Sequence, residues 1–221
     1  MDRFFTGQSD EEKWAFEREK MVSTQIEARG VRDQRVLQAM RDVKRHIFVP
    51  DDMKTRAYTD NPLPVGYGQT ISQPYIVAFM TEALETKEEH NILEIGTGCG
   101  YQSAVIASIV KGVYTVEIVE ELYKKSSELL QKSGYLNVEC KYGDGYEGWP
   151  EYAPFDGIII TAAPPRLPVN LFEQLKVGGK MIVPVGGGWH QELKSITKKP
   201  EGLYTEFLLR SEEHTSELQS R

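Results

Sequence analysis

The residues of this chain with the clearest chemical pattern are three glycines and two acids that could together hold a nucleotide-like ligand. Gly96, Gly98 and Gly100 follow a short apolar run and precede a segment with helical spacing. Glycine permits positive φ and has no Cβ to keep a bulky ligand off the backbone, and a helix N-terminus supplies unpaired N–H groups. Glu117 ends a second predicted strand, where a carboxylate can accept ribose hydroxyl protons, and Asp144 follows a third. Because ligands of such folds bind at the carboxyl ends of parallel strands, the pattern predicts a nucleotide-like ligand there.

Each of these features also has a plain structural interpretation. A glycine turn after a strand is often only a tight turn, Glu117 could be an ordinary surface acid, and Asp144-Gly145 a simple turn. The spacing also departs from the G-x-G-x-x-G fingerprint of dinucleotide-binding folds, because Tyr101 stands where the third glycine would be. The glycine turn, Glu117 and Asp144 nevertheless occur at successive strand ends, and this favours a bound ligand over coincidence. Cys99 lies inside the turn, but no His is near it in sequence, so we do not expect it to be a nucleophile.

The elements that must position these residues alternate between strand and helix. Alternation of this kind implies a parallel sheet covered by helices on both faces, which is a doubly wound α/β fold. The last two predicted strands have no helix between them, which indicates a hairpin. The predicted strands are 92–95, 112–118, 138–142, 155–161, 180–185, 191–197 and 203–209, and the helices between them are 101–110, 120–132 and 169–175.

The N-terminal region predicts two helices. Charged and apolar residues interleave from Asp10 to Arg29, which indicates an amphipathic helix ending at Gly30. A second, short helix is predicted from Asp33 to Met40, with Asp33 as its N-cap.

The segment 61–74 predicts a long shaped loop rather than a regular element, because it holds three prolines and two glycines. Loops of this length inside a compact domain are uncommon unless they serve a function. Pro74 suits the first turn of the helix that should follow.

Composition and charge restrict the class of protein. The formal net charge is −7 at pH 7, and no run of basic residues is present, so we expect no nucleic-acid partner. The two cysteines, Cys99 and Cys140, have no metal-ligand spacing, which indicates a disulfide-free cytoplasmic protein without a metal. The chain start lacks the apolar core of a signal peptide, and no stretch of about 18 apolar residues could span a bilayer. We therefore expect no membrane partner.

Several motifs carry a family resemblance. The segment from Leu93 to Tyr101, Leu-Glu-Ile-Gly-Thr-Gly-Cys-Gly-Tyr, resembles the first motif of S-adenosylmethionine-dependent methyltransferases. The segments Gly68–Tyr75, Gly143–Gly145 and Thr161–Pro165 together resemble the protein-L-isoaspartate O-methyltransferase family. The resemblance runs from about Met21 to Leu209, and the Gln-Thr-Ile-Ser loop is its most specific part.

The resemblance implies a fold, a cofactor and a set of site residues. The fold would be a mostly parallel, seven-stranded, Rossmann-like methyltransferase sheet with its terminal strand reversed, and the cofactor would be S-adenosylmethionine. Ser72 would be the catalytic residue, although its position two residues before Pro74 also fits a simple helix cap. The residues implied to bind the cofactor are Gln69, Thr70, Ile71, Ser72, Glu94, Gly96, Gly98, Glu117, Asp144 and Gly145.

The domain division follows from these patterns and the resemblance. We divide the chain into an N-terminal helical extension packed on the core at 1–60, a methyltransferase core at 61–210 and a tail at 211–221. The tail resembles a translated sequencing adapter, so we expect it to be non-native and assign it no function.

By the resemblance, the reaction would be methyl transfer from S-adenosylmethionine to the free α-carboxyl group of L-isoaspartyl residues in damaged proteins and peptides, which is protein repair. The partners would be isoaspartyl peptides and proteins, and a monomer is favoured. Two alternatives stay open. One is a nucleotide-cofactor-dependent oxidoreductase, which the shortened glycine spacing and the lack of a separate substrate domain disfavour. The other is a catalytically inactive methyltransferase-fold protein that binds a partner through its charged N-terminal helix.

Overall fold

The computed structural model describes residues 9–162, 168–187 and 190–210. The predicted tail at 211–221 and the end of the Thr161–Pro165 motif lie outside these ranges. The helices are α1 (Asp10–Met21), α2 (Gln34–Asp42), α3 (Pro74–Ala83), α4 (Tyr101–Ala107), α5 (Glu120–Lys132) and α6 (Val169–Glu173). The strands are β1 (Leu63–Gly66), β2 (Gln69–Ile71), β3 (Asn91–Ile95), β4 (Gly112–Glu117), β5 (Val138–Tyr142), β6 (Phe155–Ile160), β7 (Leu175–Gly187), β8 (His190–Lys199) and β9 (Gly202–Arg210).

The main sheet has seven strands in the order β5-β4-β3-β6-β7-β8-β9. The first five of these are mutually parallel, with β3 at the centre between β4 and β6. The α/β, mostly parallel seven-stranded fold is therefore confirmed. The direction in which successive strands are added changes at β3. The chain adds β4 and β5 on one side of β3 and then returns to add β6 on the other side. That is the switch point at which such sheets bind ligands.

The expected reversal of the terminal strand is wrong in detail. The strand that runs against the others is β8, which pairs antiparallel with both β7 and β9. Only short connections join these three strands, and short connections permit antiparallel pairing alone. The terminal strand β9 consequently regains the direction of the parallel strands.

The sheet is buried on both faces because neighbouring residues of its strands enter two different apolar clusters. Ile92 belongs to a cluster shared with the N-terminal helices, α3 and α4, whereas Leu93 belongs to a cluster that includes Leu171 of α6. Ile158 and Ile159 divide in the same way. This alternation is the side-chain period of a strand, and it confirms that helices cover both faces.

The N-terminal region is helical and shares the first apolar cluster with the sheet. α1 continues through a π-helical turn, Val22–Ile26, and a 3₁₀ turn, Glu27–Arg29, and ends at Gly30, whose φ of 105° is left-handed. Asp33 caps α2 as predicted, because its side chain accepts a hydrogen bond from the backbone N–H of Arg35 at 2.9 Å. Over the described ranges, no helix is both long and apolar enough to cross a membrane.

The expectation that 61–74 forms no regular element is wrong. β1 and β2 form a small antiparallel hairpin within it, with an irregularity between Pro64 and Gly66. The turn at its tip contains Tyr67 and Gly68, both with positive φ, of 54° and 72°. A hairpin turn that matches strand twist needs this conformation at both positions, so the glycine that suggested a loop serves the hairpin instead.

Candidate active site

A cavity of about 320 Å³ lies at the carboxyl ends of the parallel strands, and the β1–β2 hairpin borders it. The structure brings together nine of the ten residues that the resemblance assigned to the cofactor. These are Gln69, Thr70, Ile71, Ser72, Gly96, Gly98, Glu117, Asp144 and Gly145. The tenth, Glu94, is not on the cavity wall.

The glycine turn after β3 is held in a conformation that requires glycine. Gly96, Gly98 and Gly100 have φ of 97°, 54° and 90°. Thr161, at the end of β6, donates its hydroxyl to the carbonyl oxygen of Gly96 at 2.6 Å, and a Cβ at Gly96 would lie 2.5 Å from that hydroxyl. A Cβ at Gly98 would instead meet nothing within 4 Å, so the backbone there is accessible to a ligand.

Glu117 ties the glycine turn to the end of β4. Its Oε2 accepts the backbone N–H of Gly98 at 2.7 Å, and its Oε1 accepts that of Val119 at 2.9 Å. The side chain is 5% exposed and faces the cavity. Each carboxylate oxygen has a second lone-pair position, which leaves Glu117 able to accept further hydrogen bonds from a ligand.

Asp144 and Gly145 bring the end of β5 over β3. Asp144 Oδ1 accepts the backbone N–H of Tyr146 at 2.9 Å, which is an Asx turn. A Cβ on Gly145 would lie 2.3 Å from Cγ2 of Ile95, so only glycine permits this approach. The turn interpretation of Asp144-Gly145 is thus correct locally, and it coexists with a place on the cavity wall.

Ser72 is not the cap of the helix that follows it. The N-cap of α3 is Gln73, whose side chain makes no capping hydrogen bond, and Pro74 occupies the first turn. Ser72 is half-buried on the cavity wall, and its carbonyl oxygen accepts a hydrogen bond from Arg45 Nη2 at 2.7 Å. The helix-cap alternative for Ser72 therefore loses its geometric basis.

The tip of the hairpin contacts α5. Lys125 Nζ donates to the hydroxyl of Tyr67 at 3.0 Å and lies 4.9 Å from the centroid of its ring. Tyr67 is 48% exposed, so this contact is at the surface.

Glu94 is a buried acid of β3. It has no exposed surface, the hydroxyl of Ser103 on α4 donates to its Oε2, and its Oε1 makes no hydrogen bond within the described part of the chain. Burial raises the pKa of Glu94 to about 7, and the hydroxyl groups of Ser103 and Thr115 oppose that rise. Its contacts link β3 to α4 beside the glycine turn, which is a supporting position.

Cys99 borders the cavity but is not an activated thiol. Burial raises its pKa to about 11, so the thiolate is scarce near neutral pH. This agrees with the expectation that Cys99 is not a nucleophile.

Comparison with known proteins identifies the family. The sequence profile of protein-L-isoaspartate(D-aspartate) O-methyltransferase (PCMT) matches residues 16–211. This chain belongs to that family. It is 57% identical over 173 residues to a protein-L-isoaspartate O-methyltransferase of a Synechococcus strain, covering 78% of this chain and 71% of the relative. The corresponding enzyme of Opitutus terrae is 53% identical over 184 residues, covering 83% and 79%.

One solved structure agrees with the family assignment, and a second shares the fold. A protein-L-isoaspartate O-methyltransferase matches with a TM-score of 0.80 and 29% identity, over 87% of this chain. This chain spans 63% of the length of that protein. A structure from Plasmodium falciparum, described as a putative member of the family in complex with S-adenosyl-L-homocysteine, matches with a TM-score of 0.76 over 92% of this chain. At 24% identity, that second match supports the fold alone.

Sequence reasoning missed several residues of this methyltransferase site. Ile118 borders the cavity although its side chain is 65% exposed, and Tyr146 and Gln102 also lie on the wall. An apolar residue directly after the acid that ends β4 is a usable signal, because apolar side chains form most of the lining of ligand pockets. Gln102 gave no such signal, since its hydrogen bond to Thr81 Oγ1 at 2.8 Å joins two helices that are distant in sequence.

Proposed function

We propose that this chain methylates the free α-carboxyl group of L-isoaspartyl residues in damaged proteins and peptides, with S-adenosylmethionine as the methyl donor. The observation that carries the proposal is that the glycine turn, Glu117 and the Gln69–Ser72 segment line the same cavity. Family membership over residues 16–211 supports the same activity and gives the oxidoreductase alternative no support.

The residues present fit this donor. The accessible backbone at Gly98 and the acceptor positions of Glu117 suit the ribose. The exposed apolar side chain of Ile118, which shares the cavity wall with Asp144, suits an adenine ring. We assign Gln69, Thr70, Ile71, Ser72, Gly96, Gly98, Glu117, Asp144 and Gly145 to donor binding. Glu94 stays in the proposal as a support of the turn, since its side chain contacts Ser103 rather than the cavity.

The chemistry asks little of acid–base catalysis. S-adenosylmethionine supplies a methyl group bound to a positively charged sulfonium sulfur, and the rest of the donor leaves as a neutral thioether. The acceptor carboxylate is already an anion at neutral pH, so no residue of the chain has to remove a proton. The chain has to orient the two reactants in line, and positioning of this kind accounts for large rate effects.

Ser72 is the residue we propose for orienting the acceptor. Ser72 borders the cavity, and its hydroxyl makes no hydrogen bond to another described residue. A serine hydroxyl can donate to a carboxylate without accepting its proton, which suits a nucleophile that must keep its charge.

Substrate choice follows from the same geometry. An isoaspartyl residue presents its α-carboxylate as a free branch, with the backbone diverted through the β-carbon. A normal aspartyl residue carries its free carboxylate at the end of the side chain, one methylene further from the backbone, and this carboxylate would miss the donor. Misplacement by about 1 Å can cost on the order of a hundredfold in rate. We therefore expect strong methylation of isoaspartyl peptides and little of their aspartyl counterparts.

The test is methyl incorporation from labelled donor into a matched pair of peptides that differ only in isoaspartyl or aspartyl linkage. Equal methylation of both would refute the substrate assignment. Donor binding without any turnover would favour the inactive methyltransferase-fold alternative.

We also propose that the enzyme acts as a monomer in the cytoplasm, without a nucleic-acid or membrane partner. The net charge of −7 disfavours polyanionic partners, and both cysteines are free thiols, as is usual in reducing compartments. Light scattering after size exclusion tests the monomer, since a dimer would double the mass.

A further inference from the structure

Arg45 is a fully buried arginine in contact with the backbone of the proposed acceptor segment. Its side chain has no exposed surface, and it lies in the 3₁₀ turn Arg45–Phe48 of the N-terminal extension. Nε donates to the carbonyl oxygen of Ala57, and Nη2 donates to that of Ser72, each at 2.7 Å. A side chain of the extension thus holds the backbone of the residue that we propose to orient the acceptor.

The same guanidinium also packs against the donor side of the cavity. Its central carbon lies 4.7 Å from the centroid of the Tyr101 ring. Tyr101 is the first residue of α4, directly after the glycine turn, and it borders the cavity. Arg45 therefore contacts both walls between which methyl transfer would occur.

No acid of the described residues forms an ion pair with Arg45. Burial lowers the pKa of Arg45, and the nearby Tyr101, Cys99 and Tyr58 oppose that shift. Among the described residues, its Nη1 makes no hydrogen bond. A buried charge that no acid neutralises is unfavourable even when carbonyl groups and an aromatic ring contact it, and such departures from ordinary packing are expected at functional sites.

We propose that Arg45 is a positioning residue for methyl transfer: the fork of N–H donors on its planar guanidinium fixes the Ser72 backbone relative to the start of α4. This inference rests on the proposed function of the same site. A planar guanidinium can hold two carbonyl groups in fixed directions while stacking on an aromatic ring, whereas a lysine ammonium is a point charge that cannot. Thr161 and Glu117 hold the glycine turn without Arg45, so donor binding should depend on Arg45 much less than the orientation of the acceptor does.

The experiment compares two variants, Arg45→Lys and Arg45→Met, with the wild type. Lysine keeps the charge but loses the fork, and methionine keeps much of the volume without a buried charge. The matched control is Arg35→Met, because Arg35 also donates to a backbone carbonyl, that of Thr86 at 2.8 Å, but does not contact Ser72. The readouts are kcat and KM for an isoaspartyl peptide, calorimetric affinity for S-adenosylhomocysteine, and amide hydrogen exchange of residues 63–73.

We expect kcat to fall about ten- to a hundredfold in Arg45→Met and nearly as much in Arg45→Lys. Donor affinity should change by less than about threefold in both variants. Exchange should rise in residues 63–73 but not in α5, and the control should retain the kcat of the wild type.

Three results would overturn the proposal. They are an unchanged kcat in a folded Arg45 variant, a parallel loss of donor affinity and kcat, and failure of both variants to fold in saturating donor. The last two would assign Arg45 to the structural core. If the wild type itself does not methylate the peptide, the proposed function fails, and hydrogen exchange still tests the contact because it needs no turnover.

Discussion

Replacing Glu117 with glutamine tests the donor site with the smallest change in shape. Glu117 uses one carboxylate oxygen for the N–H of Gly98 and the other for the N–H of Val119, at 2.7 and 2.9 Å. A glutamine amide has one acceptor oxygen, so its NH₂ group must face one of these two backbone donors. The variant therefore loses both the charge and one of the contacts that hold the glycine turn.

The size of the effect follows from hydrogen bonds to a charged group. Each such bond is worth about 1.5–3 kcal/mol, and its loss from the ribose hydroxyls corresponds to about a 10- to 150-fold rise in Kd. Glu117 is only 5% exposed, so solvent does little to replace the missing acceptor. We expect the lower part of this range if the turn relaxes to reuse the remaining oxygen.

Calorimetric titration with S-adenosylhomocysteine measures the change directly. The matched control is Glu121→Gln, which removes the same charge from an exposed position in the first turn of α5. The control should keep the Kd of the wild type within about twofold. An unchanged Kd in a folded Glu117→Gln protein, or an equal loss in the control, would show that Glu117 does not hold the ribose.

Three further predictions follow from the site. Ser72→Ala should lower kcat/KM for an isoaspartyl peptide about ten- to a hundredfold, or roughly 1.4–2.7 kcal/mol; full activity would remove Ser72 from the mechanism. Glu94→Gln should gain stability relative to the wild type as pH rises, because burial raises the pKa of Glu94 from 4.5 to about 7. Ionising the buried Glu94 destabilises the wild type; this cost is absent below the pKa of the unfolded state and complete above the pKa of the folded state. The free energy of unfolding of Glu94→Gln minus that of the wild type, measured in urea, should therefore be about 3 kcal/mol larger at about pH 8 than at about pH 4. The same difference at both pH values would contradict a buried, ionisable Glu94. Lys125→Met should speed donor release about two- to fivefold in stopped-flow measurements, since an exposed cation–π contact with Tyr67 is worth about 0.5–1 kcal/mol; the same rate as in Lys124→Met would dismiss the hairpin contact.

The sequence predicted the positions that depend on strand order. Glu117 and Asp144 were assigned to the site because each follows an apolar run, and the carboxyl ends of parallel strands meet at one edge. The Asp33 cap and the helix end at Gly30 are predictable for a different reason, since each depends on local backbone chemistry alone.

Features that depend on distant contacts were not predictable. The hairpin at 63–71 was interpreted as a loop because prolines and glycines mark both structures, and its pairing emerges only in the fold. Glu94 was assigned to the cofactor, yet its Oε2 meets Ser103 of α4, nine residues further along the chain. Arg45 lies in the polar run Lys44-Arg45-His46, which gives no sign that its side chain is fully buried.

The central place of β3 has a consequence for synthesis on the ribosome. β3 pairs with β4 soon after both emerge, but its other neighbour is β6, and Thr161, which donates to the carbonyl oxygen of Ile95, comes 66 residues later. At about 5–20 residues per second, the nascent chain spends roughly 3–13 s with one edge of its central strand unpaired and its glycine turn not yet bonded to Thr161. An open apolar edge of this kind is a site for wrong pairing. We expect chains stalled before residue 155 to bind a holdase chaperone and no donor, and released full-length chains to bind the donor and no chaperone.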